Sequence, residues 1–304
     1  MFPLFAVSAL FAEGFVSVNS VQKGPFQRWW RTLRVGYWLG WQIESNWTDP
    51  LLFFIYSIAR PLGGVLILVF MYHVVARAGS TAMLGFFVVG AACWPFVVRG
   101  MMGTAYSLIT DREHWKTLRY VYISPISLRA YLVGRALAQT TSAVAAAAVT
   151  LIFGRWALGV PMHLATINAP YTAAAFALGI ASVIALGLLV VSAAVLVSSE
   201  AWRMPEGVGA ALYLVCGAIF PVTVLPPILQ ALSGAIPLTW WLEAMRRGLL
   251  GPAVVRSLPH LADGQVLGGL ALLTVLWVAA ALMAFTFAER RARQLGILDR
   301  ESMY

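Results

Sequence analysis

Six stretches of this 304-residue chain are long and apolar enough to cross a bilayer: Leu51–Val75, Met83–Ile109, Tyr131–Phe153, Tyr171–Val197, Val208–Val224 and Leu267–Ala288. A helix needs about 20 such residues to cross about 30 Å of hydrocarbon. In lipid every backbone polar group must be satisfied internally, which favours helices over irregular chain. Tyr171–Val197 and Leu267–Ala288 contain no charged residue, whereas each of the first three stretches carries one arginine. Val208–Val224 is the shortest and runs into prolines. The chain is 61% hydrophobic and 11% charged, against about 25% charged in an ordinary soluble protein. The expectation is an all-α integral membrane protein with six transmembrane helices. Residues 1–49 are read as a leader and an interfacial helix, and residues 50–304 as one six-span domain.

Six spans leave both termini on the same side. On that layout Lys23, Arg28, Arg31, Arg34, Arg112, Lys116, Arg119, Arg129, Arg203, Arg290, Arg291, Arg293 and Arg300 share one side, and Arg77, Arg155, Arg246, Arg247 and Arg256 take the other. The richer side is expected to be cytoplasmic, in a bacterial or archaeal plasma membrane. The net charge of +9 is then explained by topology and anionic head groups, so no nucleic-acid partner is expected. Cys93 and Cys216 fall in predicted spans and read as small apolar residues. The apolar start of the chain has no preceding basic residue and is interrupted by Glu13, which argues against a cleaved signal.

Two segments between the spans have their own texture. Phe26–Trp47 combines Trp29, Trp30, Tyr37, Trp38, Trp41 and Trp47 with Arg28, Arg31 and Arg34. That mixture suits a helix lying in the membrane interface, or an aromatic belt flanking the first span. The segment after Val208–Val224 is too broken by proline to span and too apolar to be a solvated loop. Pro221, Pro226, Pro227 and Pro237 divide it into short helices, with Glu243 and Arg246 on the second. These are expected to be re-entrant or to lie on the outer face.

The chemistry that is missing narrows the function. Neither of the two lysines, Lys23 and Lys116, stands in a GxxxxGK[ST] phosphate loop, so the chain is not by itself a P-loop ATPase. HExxH and GxSxG are absent, and His73, His114, His163 and His260 are scattered. No catalytic residue, metal site or resident cofactor is expected. Arg60, Arg99 and Arg135 are the intramembrane charges, each costing several kcal/mol unless paired, snorkelled or hydrated. No acid lies within the first four spans. Arg135 is expected to snorkel to the cytoplasmic end. Arg60, near mid-depth, has two open readings: an aqueous cleft, subunit interface or anionic ligand, or backbone carbonyls and a lipid phosphate. Arg60, with Phe53, Phe54 and Tyr56 as apolar wall, is a candidate for a translocation path, as are Arg99 and Arg135.

Between the second and third spans lies TDREHWKTLR, Thr110–Arg119, a dense run of charge around one tryptophan. Charged groups orient a partner and an aromatic residue anchors it, although a solvated charged turn would have the same composition. The stretch DREHWKTLRYVYISPISLRAYLVGRALA, followed later by FPVTVLPPILQALSGAIPLTWWLEAMR, resembles the permease subunit of type 2 ABC exporters. The likeness extends over most of the chain after about residue 26. It implies a permease dimer, of identical or different protomers, seated on two copies of a separate ATPase that holds the ATP and Mg. It also implies that Asp111, Arg112, Glu113, His114, Trp115 and Lys116 form the coupling helix that enters the ATPase, and that Pro226, Pro237, Glu243 and Arg246 belong to the external helices. The expected function is export of an amphipathic substrate that is drug-like, lipid-linked or an oligosaccharide. The alternatives are a secondary transporter, which usually needs an acid within its spans, and an embedded transferase, for which no base is evident.

Overall fold

Two glycines set the first contact of the fold. In a computed structural model that describes residues 24–45, 59, 63, 64, 66, 67, 69, 70, 81–113, 121, 124, 126–160, 162, 167–196, 202–251 and 255–296, helix α1 (Pro25–Ser45) lies along a helix from the middle of the chain. The two cross at Gly36 and Gly134. A Cβ on Gly36 would lie 2.5 Å from the Tyr131 carbonyl oxygen, and one on Gly134 would strike the Leu33 carbonyl. Small residues let backbones approach closely where helices pack in lipid. The expected interfacial helix is therefore packed along its length. Thr32, Leu33, Gly36 and Gly40 are buried, while Trp29, Trp30, Trp38 and Trp41 stay exposed.

The described residues are all helical or irregular, with no strand among them. Helix α2 (Thr81–Val97) passes through a π-helical turn (Val98–Met102) into α3 (Gly103–Glu113). Then follow α4 (Leu128–Trp156), α5 (Ala169–Leu196), α6 (Arg203–Val215), a 3-10 turn (Val222–Val224), α7 (Pro227–Gly234), α8 (Pro237–Leu250) and α9 (Asp263–Leu295). Four described segments are long and apolar enough to cross a membrane: Met83–Arg112, Leu128–Trp156, Ala169–Leu196 and Asp263–Leu295. They contain the expected second, third, fourth and sixth spans, apart from Val197 at the end of the fourth, which lies outside the described residues. Of the first, Leu51–Val75, only residues 59, 63, 64, 66, 67, 69 and 70 are described, and the leader before Gly24 lies outside the described residues.

The expected span Val208–Val224 takes a different form. Helix α6 starts earlier, at Arg203, and stops at Val215. Gly217 then adopts a positive φ of 75°, a conformation that glycine reaches without steric cost, and Pro221 follows. A helix of 13 residues reaches only about 20 Å. Downstream, the prolines act as helix starts. Pro227 and Pro237 are the first residues of α7 and α8, positions where their missing N–H costs nothing.

Helix α5 is the central post, packed against α9, α8, α3 and the π turn. Trp241 of α8 is fully buried against Gly179 of α5, where any Cβ would collide with the indole ring. Phe96 stands edge-on to both Phe176 and Trp241, with ring centroids 5.2 and 6.3 Å away. On α9, Leu272, Val275, Met283 and Phe287 are exposed, as expected of side chains facing acyl chains.

Gly134→Val should force α1 away from α4 at a cost of about 1–3 kcal/mol. The measurement is the apparent Tm in detergent. Gly268→Ala is the control, since a Cβ there meets nothing within 4 Å, and its Tm should not fall.

Candidate functional site

Three polar clusters stand out among the described residues of the helical bundle. The first lies where α3 ends. Asp111 accepts a hydrogen bond from the Tyr131 hydroxyl at 2.8 Å and stands 3.7 Å from Arg135 Nη2. All three side chains are buried. Arg135 therefore turns into the bundle and does not snorkel, because an acid from the neighbouring helix end is within reach. The last turn of α3 also buries Arg112. Asp111 and Arg112 are thus both buried within the chain. The side chain of Glu113, together with His114, Trp115 and Lys116, lies outside the described residues.

The second cluster surrounds Arg99. Its Nη1 donates to Glu44 Oε2 at 2.6 Å, and Gln139 Nε2 donates to Glu44 Oε1 at 2.8 Å. The acid missing from the spans is thus supplied by α1. Arg99 lies in the π turn, where the Gly103 N–H reaches back to the Val98 carbonyl. Such turns are frequent at functional sites. Pro95, inside α2, removes a helical N–H just before it. The Thr104 hydroxyl, at the start of α3, donates to the Gly100 carbonyl of the turn.

The depth of this cluster follows from α9. Its apolar run ends at Glu289, and Glu289 and Arg293 line a small cavity together with Ser127, Leu128 and Arg129. The start of α4 is therefore level with the C-terminal end of the apolar run of α9. Gln139 lies eleven residues beyond Leu128, or about 16 Å along the helix, near the middle of about 30 Å of hydrocarbon.

The third cluster is at the opposite end of the bundle. Arg247 donates from Nε to Glu243 at 2.8 Å, from Nη1 to Asp263 at 2.9 Å and to the Leu261 carbonyl at 2.7 Å, and from Nη2 to the Leu258 carbonyl at 2.6 Å. The second Glu243 oxygen accepts from the Ser257 N–H at 2.9 Å. Arg246 points the other way, to the carbonyls of Phe86 and Gly217 at 3.3 and 2.7 Å. Its guanidinium carbon lies 3.5 Å from the centre of the Phe86 ring, a cation–π contact. Burial pushes this group down to about 10, and the nearby Glu243 opposes the shift. Arg246 therefore keeps its charge at neutral pH.

The family model described as ABC-2 type transporter matches residues 35–250, a segment that runs through all three clusters from Gly36 and Glu44 to Arg247. The chain belongs to the ABC-2 type transporter family. It is a membrane-embedded permease, of a family that works with an ATPase subunit. A search of curated proteins found no match.

For this permease, the site residues expected from sequence divide clearly. Arg99 and Arg135 come within the bundle but join separate clusters. Glu243 and Arg246 sit on α8, and Pro226 caps α7 while Pro237 starts α8. Arg60, Phe53, Phe54 and Tyr56 lie outside the described residues. Sequence reasoning did not find Glu44, Gln139, Tyr131, Arg247 or Asp263. Glu44 carried a usable signal, since an acid closing an aromatic, basic helix just before a span is out of place in a purely interfacial element.

Arg247→Met should destabilise the protein by about 3–5 kcal/mol, because it leaves Glu243 buried without its cation. Adding Glu243→Gln should recover part of that loss. Thermal unfolding of the single and double variants in detergent checks both statements.

Proposed function

We propose that this chain is the non-hydrolytic permease of an ATP-driven exporter that moves an amphipathic substrate out of the cytoplasm or inner leaflet. The match of residues 35–250 to a transporter permease family carries the reading. The ATP and Mg belong to the partner ATPase, present in two copies beneath a dimer of permeases with cytoplasmic termini. The chain itself has no phosphate-loop lysine with which to hold nucleotide.

The coupling path begins in the segment after α3. Asp111, buried against Tyr131 and Arg135, fixes the root of the charged run to α4. A push on residues 113–119 is then transmitted to α4, and through the Gly36–Gly134 crossing to α1. Docking falls to Glu113, His114, Trp115 and Lys116, while Asp111 and Arg112 serve as the internal anchor. A secondary transporter remains the competing reading, since Glu44 provides the mid-depth acid that such a mechanism uses. Family membership favours the ATP-driven one.

Two experiments test this. Rigorously purified chain should hydrolyse no ATP, with turnover appearing only when a separate ATPase is added; turnover by the chain alone would overturn the proposal. Glu113→Lys combined with Trp115→Ala should weaken ATPase binding by about 2 kcal/mol or more and abolish transport, with the apparent Tm of the membrane domain unchanged. Normal export by that double variant would remove the docking assignment.

A further inference from the structure

The Glu44–Arg99–Gln139 cluster combines depth with exposure. It is near mid-depth, yet 37% of the Arg99 side chain and 20% of the Glu44 side chain remain exposed, where the Asp111–Arg135 pair is sealed at 3% and 4%. A half-open ion pair is costly against acyl chains unless something polar covers it. Hydrogen bonding within the cluster is also incomplete among the described residues, where Gln139 engages through Nε2 alone. Each Glu44 oxygen has one donor, and the pair is neutral overall. Arg99 has five N–H donors, and among the described residues only Nη1 is engaged. The opening therefore presents spare donors beside a carboxylate whose charge is already balanced. Trp41, 40% exposed, lies one turn earlier on α1, on the face of Glu44. Tyr37, a further turn back, donates to Thr141 of α4 at 3.3 Å.

We infer that this cluster is a binding site for the uncharged, hydroxyl-rich head group of an amphipath, a glycosyl group above all. The inference rests on the reading of the chain as an exporter of amphipaths and names the chemistry that one of its sites selects. Sugar hydroxyls both donate and accept, and so use the carboxylate, amide and guanidinium together. The apolar face of a sugar ring covers an indole such as Trp41, while the lipid tail stays in the bilayer. An anionic head is disfavoured because Glu44 already satisfies the Arg99 charge, and a cationic head because Arg99 already satisfies Glu44.

The test is native mass spectrometry of the full-length chain in detergent, titrated with three lipids of identical acyl chains: monogalactosyl diacylglycerol, phosphatidylglycerol and diacylglycerol. The galactolipid should bind about ten-fold more tightly than either of the others, an interval of about 1.4 kcal/mol. Trp41→Ala, at an exposed position where folding is not at stake, and Gln139→Leu should each remove most of that preference. Glu44→Gln keeps the shape but leaves Arg99 unbalanced, and should move the preference to phosphatidylglycerol. If the unaltered chain prefers phosphatidylglycerol, the site is an anion site and the inference is overturned. Equal binding of all three lipids, or variants without effect, overturns it as well. Because no ATPase is present, the outcome is independent of whether the chain transports.

Discussion

The contact between Gly36 and Gly134 is the constraint from which the polar architecture follows. There the backbones of α1 and α4 touch, and α1 runs beside α4. That course carries Glu44 upward until it meets Gln139 and Arg99. It also sets Gly40 against the backbone and stem of Arg135, which helps to hold that side chain toward Asp111. The two clusters on this side of the bundle thus depend on helices that touch through glycine. Elsewhere the same device recurs with a different partner, where Gly179 makes room for the whole indole of Trp241.

The two ends of the protein treat charge in opposite ways. Around Arg247 four hydrogen bonds run to carboxylates and carbonyls, and each Glu243 oxygen accepts one, from Arg247 and from a backbone N–H. A buried ion pair becomes tolerable when its remaining lone pairs and protons find partners. The result is a stitched cap that joins α8 to the connection before α9. The Arg99 cluster has comparable ingredients but leaves donors unused and side chains half open. One arrangement is suited to holding a shape and the other to meeting a visitor.

Much of the layout could be read from the chain. The apolar runs at Tyr171–Val197 and Leu267–Ala288 became α5 and α9 because length and composition alone decide such helices. The prolines at 226, 227 and 237 marked the breaks around α7 and α8, since proline can start a helix but not continue one. Less visible was anything that depends on which helices are neighbours. Arg99 and Arg135 looked unpaired because their acids, Glu44 and Asp111, are 55 and 24 positions away in the sequence and lie outside the apolar runs. The end of α6 was misplaced because Gly217 turns the chain while the residues around it remain apolar. The inward rotation of Asp111 was hidden for a similar reason: a charge run on paper does not say where the helix feeding it ends.

The π turn at Val98–Met102 gives the long helix from Thr81 to Glu113 an unusual relation to insertions and deletions. In a plain α-helix, losing one residue rotates the two halves by about 100° relative to each other, which would tear Asp111 from Tyr131 or, with that half held, swing Phe96 off Trp241. A π turn holds a residue more than the regular winding requires. Losing one residue inside it would return the segment to regular winding while the faces on either side keep their phase. This short stretch is therefore where the helix can change length without scrambling its packing. The residue displayed there, Arg99, can be replaced or withdrawn while the scaffold around it stays in register.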